Sequence, residues 1–188
     1  MSKNGGVIYR ISGPVVTATG IEARMYEVVR VGNEKLMGEV IEIHGDQSVI
    51  QVYEDTSGIR PGEPVLSTGQ TLSVQLGPGL LTQIYDGIQR PLQTLEEVMG
   101  VFITRGVDAD GLDLEKKWDF VATASKGDDV LGGQVIGTVQ ETDTITHKIM
   151  VPPKASGKIK SIKSGDFNVT ETVCTLEDGT EIKMMQEW

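Results

Sequence analysis

Apolar residues in this chain fall in short runs rich in Val, Ile and Thr, and glycine-bearing turns separate the runs. That pattern predicts strands rather than helices. In the first part of the chain the runs place strands near Val7–Ile11, Val15–Thr19, Met25–Val31, Leu36–His44, Gln47–Tyr53 and Val65–Ser67. Gly45-Asp46 stands between two of them and reads as a tight hairpin turn. Glu39–Ile43 and Ser48–Val52 alternate only in part, as expected of strands with both faces partly covered. Six short strands in about 70 residues favour closure into a barrel, which removes exposed edges.

The pattern changes over residues 76–110. Gly77-Pro78-Gly79 breaks the chain, and Leu80, Leu81, Ile84 and Ile88 then recur at helical spacing. Arg90-Pro91 interrupts. Pro91 suits the first position of a second helix, whose apolar face continues through Leu92, Leu95 and Val98. From Gly111 the strand signal returns at Val121–Ala124, Val130–Leu131, Gln134–Thr138, Lys148–Val151, Lys158–Ile162, Thr172–Leu176 and Thr180–Met185. Asp178-Gly179 is a strong two-residue hairpin signal. The expected fold class is mostly β: a six-stranded β-barrel over residues 1–75, a short helical connector over 76–110, and a second β-barrel or barrel-sandwich-like module over 111–188.

Charge narrows the partners. The net charge of −10 is spread as −3 over residues 1–75, −3 over 76–110 and −4 over 111–188. No segment is basic overall, which argues against nucleic acid. No apolar stretch approaches the roughly 18 residues of a spanning helix. Met1–Gly6 lacks the apolar core of a secretory signal. Any link to a membrane is therefore expected to run through partners. The single cysteine, Cys174, cannot close an internal disulfide and fits a reducing compartment. It reads as a small apolar strand residue.

Reactive chemistry finds little footing. The phosphate-cradling pattern G-x-x-x-x-G-K-[ST] is absent, since Gly157-Lys158 is followed by Ile159 and has Pro152 where the first glycine belongs. His44 and His147 lack the neighbours of a zinc site and read as surface residues. Glu54-Asp55, Glu96-Glu97 and Asp128-Asp129 are adjacent pairs, whereas acid/base work needs carboxylates that converge in a pocket. Lys154, Lys158, Lys160 and Lys163 read as the wet face of a strand carrying Ile159 and Ile162. Asn168-Val169-Thr170 matches a glycosylation acceptor, read as incidental. No catalytic, cofactor-binding or metal-binding residue is assigned.

Two resemblances remain. Gly127-Asp128-Asp129-Val130, Gly133-Gln134, Glu141-Thr142-Asp143, Val151-Pro152-Pro153 and Ser156–Ile159 resemble a lipoyl or biotinyl carrier domain, whose modified lysine rides a hairpin tip. Here Thr144 holds that position, and Lys148 comes four residues later. A carrier, or a stand-alone β-rich adaptor, is the alternative reading.

The stronger likeness is longer. Gly6–Ile8, Ile11–Val16, Val29–Gly32 and Leu36–Ile41 resemble the opening barrel of the catalytic A subunits of archaeal and vacuolar-type rotary ATPases. So do Ile50–Gly58, Pro61–Val65, Leu76-Gly77-Pro78-Gly79-Leu80-Leu81, Ile84–Leu92, Ile103–Val107 and Lys117–Phe120. Residues 111–188 are similar to the bulge insertion of those catalytic subunits. The resemblance implies a barrel that joins an alternating hexameric ring with non-catalytic B subunits, and a second module that meets the peripheral stalk. It implies a cytoplasmic position, peripheral to the membrane, as part of a proton-translocating ATPase or ATP synthase. ATP hydrolysis or synthesis, and the binding of Mg-ATP, would belong to a domain expected to follow Trp188. The connector's apolar face is expected to fray or self-associate in that domain's absence.

Overall fold

Val and Ile at alternating positions build the first unit. In the computed structural model, which describes residues 5–99, 105–107 and 109–188, the side chains of Val98 and Met99 excepted, six strands close into a barrel. They are β1 (Gly5–Ser12), β2 (Val15–Thr19), β3 (Glu27–Val31), β4 (Leu36–His44), β5 (Gln47–Val52) and β6 (Pro64–Thr71). The order around the barrel is β1-β2-β5-β4-β3-β6, every described pairing is antiparallel, and β6 returns to β1. Ile8, Val16, Ala18, Val29, Val31, Leu36, Val40, Ile50, Val52 and Val65 fill the interior. The expected six-stranded barrel is present, with Gly45-Asp46 turning β4 into β5.

Ile41 and Ile43 depart from the expectation of covered faces: both are exposed. The register explains it. Val40 pairs with Ile50 and Glu42 with Val49, so Ile41 is the extra residue of a bulge, beyond which the hairpin is uncovered.

The chain groups into two compact units, Met1–Ser73 with Val98–Asp108, and Val74–Glu97 with Ala109–Trp188. Residues 76–110 are thus shared between them. The second unit contains β7 (Gln75–Leu76), α1 (Leu92–Met99) in its larger part, β8 (Trp118–Ala122), β9 (Asp129–Val130), β10 (Val135–Gln140), β11 (Thr146–Met150), β12 (Gly157–Ile162), β13 (Gly165–Phe167), β14 (Thr172–Leu176), β15 (Glu181–Lys183) and β16 (Gln186–Glu187). Two four-stranded sheets, β11-β10-β8-β13 and β15-β14-β12-β9, share one core, and β16 pairs with β7. Phe120 is fully buried at the centre of that core and meets the Phe167 ring edge-on at 6.5 Å. Gly137 makes room for it: a Cβ there would lie 2.2 Å from the Phe120 ring. The strand β13 has no apolar run and escaped the sequence pattern.

The first connector helix does not form. Leu80–Thr82 makes one 3-10 turn, and Gln83 is already extended. The reason is competition for backbone N–H groups. The Ile88 and Arg90 N–H groups go to the Asp86 carboxylate, and Asp86 and Leu92 donate theirs to the Arg90 and Ile84 carbonyls at 3.1 and 2.8 Å, which closes a turn in place of an i→i−4 ladder. The second helix forms as α1. Pro91 lies just before it, and its carbonyl accepts the Leu95 N–H at 3.0 Å, so it caps the helix rather than opening it. Leu95 is buried, and the side chain of Val98 lies outside the described residues, as do Met1–Asn4, Ile103 and Thr104. Among the described residues no helix is long and apolar enough to cross a membrane.

Candidate functional site

Each acidic pair singled out in the sequence is engaged locally or open to solvent. Glu54 accepts the Gly106 N–H at 2.6 Å, and Asp55 accepts the Ser57 N–H and hydroxyl at 3.0 and 2.8 Å. Glu96 and Glu97 are both exposed on α1. Asp128 accepts the Ser125 N–H at 2.8 Å, while Asp129 is exposed on β9. Among the described residues no three His, Cys, Asp or Glu side chains gather as a metal site. His44 pairs with Glu42 on an exposed strand end. Cys174 is buried on β14, and burial pushes its thiol pKa up. The four lysines from Lys154 to Lys163 are exposed, with Ile159 buried between them. The Asn168 Oδ1 is occupied by the Thr170 N–H, the Thr170 hydroxyl and the Glu171 N–H.

A triphosphate has no cradle in this segment of sequence. Gly157-Lys158-Ile159 is strand β12, Lys158 stands in register opposite Asp129, and the strand opens no helix.

A buried polar cluster lies where the Leu76–Leu81 loop meets the β10–β11 hairpin of the same unit. Gly79 has φ 108°, a left-handed turn that suits glycine, and starts the 3-10 turn. Its N–H and that of Leu81 converge on Glu141 Oε1, at 2.7 and 3.1 Å. The other oxygen, Oε2, meets His147 Nδ1 at 2.9 Å. The Glu141 side chain is fully buried, and that of His147 is a quarter exposed. Burial alone would raise the carboxyl pKa. The bonds from His147, Leu81 and Gly79 outweigh it and hold the pKa below the usual range. His147, expected at the surface, is thus half-buried and spoken for.

A second carboxylate shapes the loop that follows. Asp86 accepts the Ile88 and Arg90 N–H groups and receives the Arg90 guanidinium at 2.7 Å, with both side chains largely covered. Tyr85 donates its hydroxyl to the Gly111 carbonyl at 2.7 Å. The result is a fixed loop that leaves Leu81 and Ile84 more than 60% exposed, at 61% and 64%. In the barrel unit, Arg105 plays the matching part. It donates to the Asp55 and Ser57 carbonyls at 2.8 and 2.6 Å and pairs with Glu34 at 3.0 Å.

Residues 8–69 match the beta-barrel domain of the ATP synthase alpha/beta family, and residues 109–188 match the barrel-sandwich domain of the ATP synthase alpha and beta subunits. The chain is 66% identical to the A-type ATP synthase A subunit of Methanosarcina barkeri over 183 residues, 97% of this chain and 32% of that protein. The chain belongs to the ATP synthase alpha/beta family.

Other relatives agree. The A-type ATP synthase A subunit of Methanoculleus marisnigri is 67% identical over 97% of this chain and 31% of its own length. In Methanospirillum hungatei, the A subunit numbered 1 is 61% identical over 100% of this chain and 32% of its own. The chain therefore spans about a third of the length of these relatives and corresponds to their N-terminal barrel domains.

The carrier alternative is not supported. Lys148 sits within β11, opposite Thr138 of β10, and Asp143-Thr144 forms the hairpin tip, where a carrier needs its lysine. Within the family fold, the residues that organise the loops are Glu141, Asp86 and Arg105, and periodicity carries no sign of them. Asp86 and Arg90 at i, i+4 are the one readable hint.

Proposed function

We propose that this chain acts as the N-terminal assembly part of the catalytic A subunit of a proton-translocating rotary ATPase or ATP synthase. On this reading the barrel joins non-catalytic B subunits in an alternating hexameric ring. The barrel-sandwich unit faces the peripheral stalk, and the whole lies at the cytoplasmic side, peripheral to the membrane. Coupling of ATP hydrolysis or synthesis to rotation belongs to the parent protein, whose downstream domain would bind Mg-ATP. No residue of this chain is assigned to that chemistry.

One observation carries the reading: residues 8–69 and 109–188 match, in order, the two barrel domains of one family, within a chain of which 97% aligns with one A-type ATP synthase A subunit. The physics is consistent with it. Phosphoryl transfer needs converging backbone N–H groups, a lysine and bound magnesium around the phosphates. Here the converging N–H groups of Gly79 and Leu81 are taken by an internal carboxylate.

Sedimentation of this chain mixed with an archaeal B subunit tests the proposal. Co-sedimentation at a defined stoichiometry is the expected result. Independent sedimentation at concentrations well above those of the assembled enzyme would count against it.

A further inference from the structure

We propose that Glu141 and His147 form a latch that locks the Gly77–Thr82 loop to the β10–β11 hairpin, so that the two move as one body. This does not depend on the assembly reading, because every group involved lies within the second unit.

The geometry is that of an intramolecular ligand in a backbone anion nest. The left-handed turn at Gly79 aims the N–H groups of Gly79 and Leu81 at one point, and the Glu141 carboxylate occupies it. His147, six residues along the same hairpin, holds the second oxygen. The Tyr85 phenol lies close enough to feel the carboxylate's charge. The loop in turn packs Leu80 against the core that contains Trp118 and Leu112.

The consequence is mechanical coupling. Glu141 stands at the root of the hairpin, closed by its own N–H to the Ile145 carbonyl at 3.0 Å. Beyond it Asp143, Thr144 and Ile145 are exposed at the tip, open for a partner to grip. A displacement of that tip passes through one buried side chain to the loop that presents Leu81 to solvent. Glu141 is a positioning residue: it sets whether Leu81 is held out rigidly or samples other conformations.

Amide hydrogen exchange on the 188-residue chain tests the latch residue by residue. Glu141→Ala is expected to speed exchange at Gly79 and Leu81 by at least about tenfold, because charge-assisted bonds to both amides are lost. The Ile159 and Leu176 amides, bonded to the Asp128 and Thr180 carbonyls at 2.9 Å, should keep their wild-type protection. Glu141→Gln retains an acceptor without the charge and should fall between wild type and Ala. His147→Ala should give the smallest increase at the same two amides. If Glu141→Ala does not fold, Glu141→Gln and His147→Ala carry the same comparison. Unchanged exchange at Gly79 and Leu81, or exchange that rises only together with Ile159 and Leu176, would overturn the proposal.

Discussion

In the barrel, six strands close on themselves and backbone groups pair mostly with backbone. In the second unit, two open sheets share a core, and carboxylates take over where the ladders stop: Glu141 for the Leu76–Leu81 loop and Asp86 for the loop after it. Carboxylates also take backbone N–H groups in the barrel unit, at Glu54, Asp55, Glu63 and Glu27, and of these Glu27 is the buried one. Its carboxylate accepts the Arg24 and Gly69 N–H groups and the Ser67 hydroxyl at the rim between β3 and β6. Closure satisfies a backbone without asking much of individual side chains. An open sandwich needs particular side chains at particular seams, and single substitutions should expose that difference.

The largest effect is expected at the sandwich centre. Phe120→Ala removes a fully buried ring and should cost roughly 3–5 kcal/mol. Urea unfolding followed by exchange in each unit should show the sandwich losing protection first, with the barrel amides unmoved. A barrel that melts together with it would erase the distinction between the units. The reciprocal change is Leu36→Ala in the barrel core, with an expected loss of about 3 kcal/mol confined to barrel amides.

Acid comes next and acts on both units, since the Glu27 and Asp55 carboxyls of the barrel are also held low, Glu27 against its burial, by their hydrogen bonds. The carboxyl pKa values of Glu141 and Asp86 lie below the usual range. In each, burial opposes ionisation and is outweighed by hydrogen bonds, from His147, Leu81 and Gly79 in one case and from Arg90 and Ile88 in the other. Their contribution is complete above the unfolded carboxylate pKa of about 4 and is lost as pH falls through the depressed folded values. The sandwich's urea midpoint should therefore drop in acid, and Glu141→Gln should flatten that drop. An identical pH profile for wild type and Glu141→Gln would contradict this assignment.

The smallest effect is alkaline and is read in the barrel at Tyr53. Burial, and then the bond to Glu39 at 2.7 Å, push the Tyr53 phenol up to about 12. Folding favours the neutral ring, so barrel stability should decline once pH passes the unfolded tyrosine value of about 10. Tyr53→Phe should remove its share of that decline while costing under about 1 kcal/mol at neutral pH. Phenolate absorbance, read in wild type and variant, gives the check.

How much of this was legible follows the same division. Short apolar runs and glycine turns made the barrel strands legible, and the alternation that buries Val16, Ala18, Ile50 and Val52 in β2 and β5 showed only in part. The family segments around Leu76–Leu81 were legible as a likeness. The shape of that loop was not, because Leu80, Leu81, Ile84 and Ile88 carry a helical period, while the turn closed by Asp86 between Ile84 and Leu92 and the Glu141 carboxylate, some 60 residues away, set its course. A carboxylate that folds a distant loop leaves no periodic trace. Arg105 was likewise invisible, since its partners Glu34, Asp55 and Ser57 become neighbours only once the barrel has closed.

On the proposed reading this chain holds neighbours in place and wraps no triphosphate. Equilibrium titration of the purified chain with Mg-ATP tests that most directly. The prediction is no saturable binding at cellular nucleotide concentrations. Tight, saturable, one-to-one binding in a pocket of this chain would contradict it.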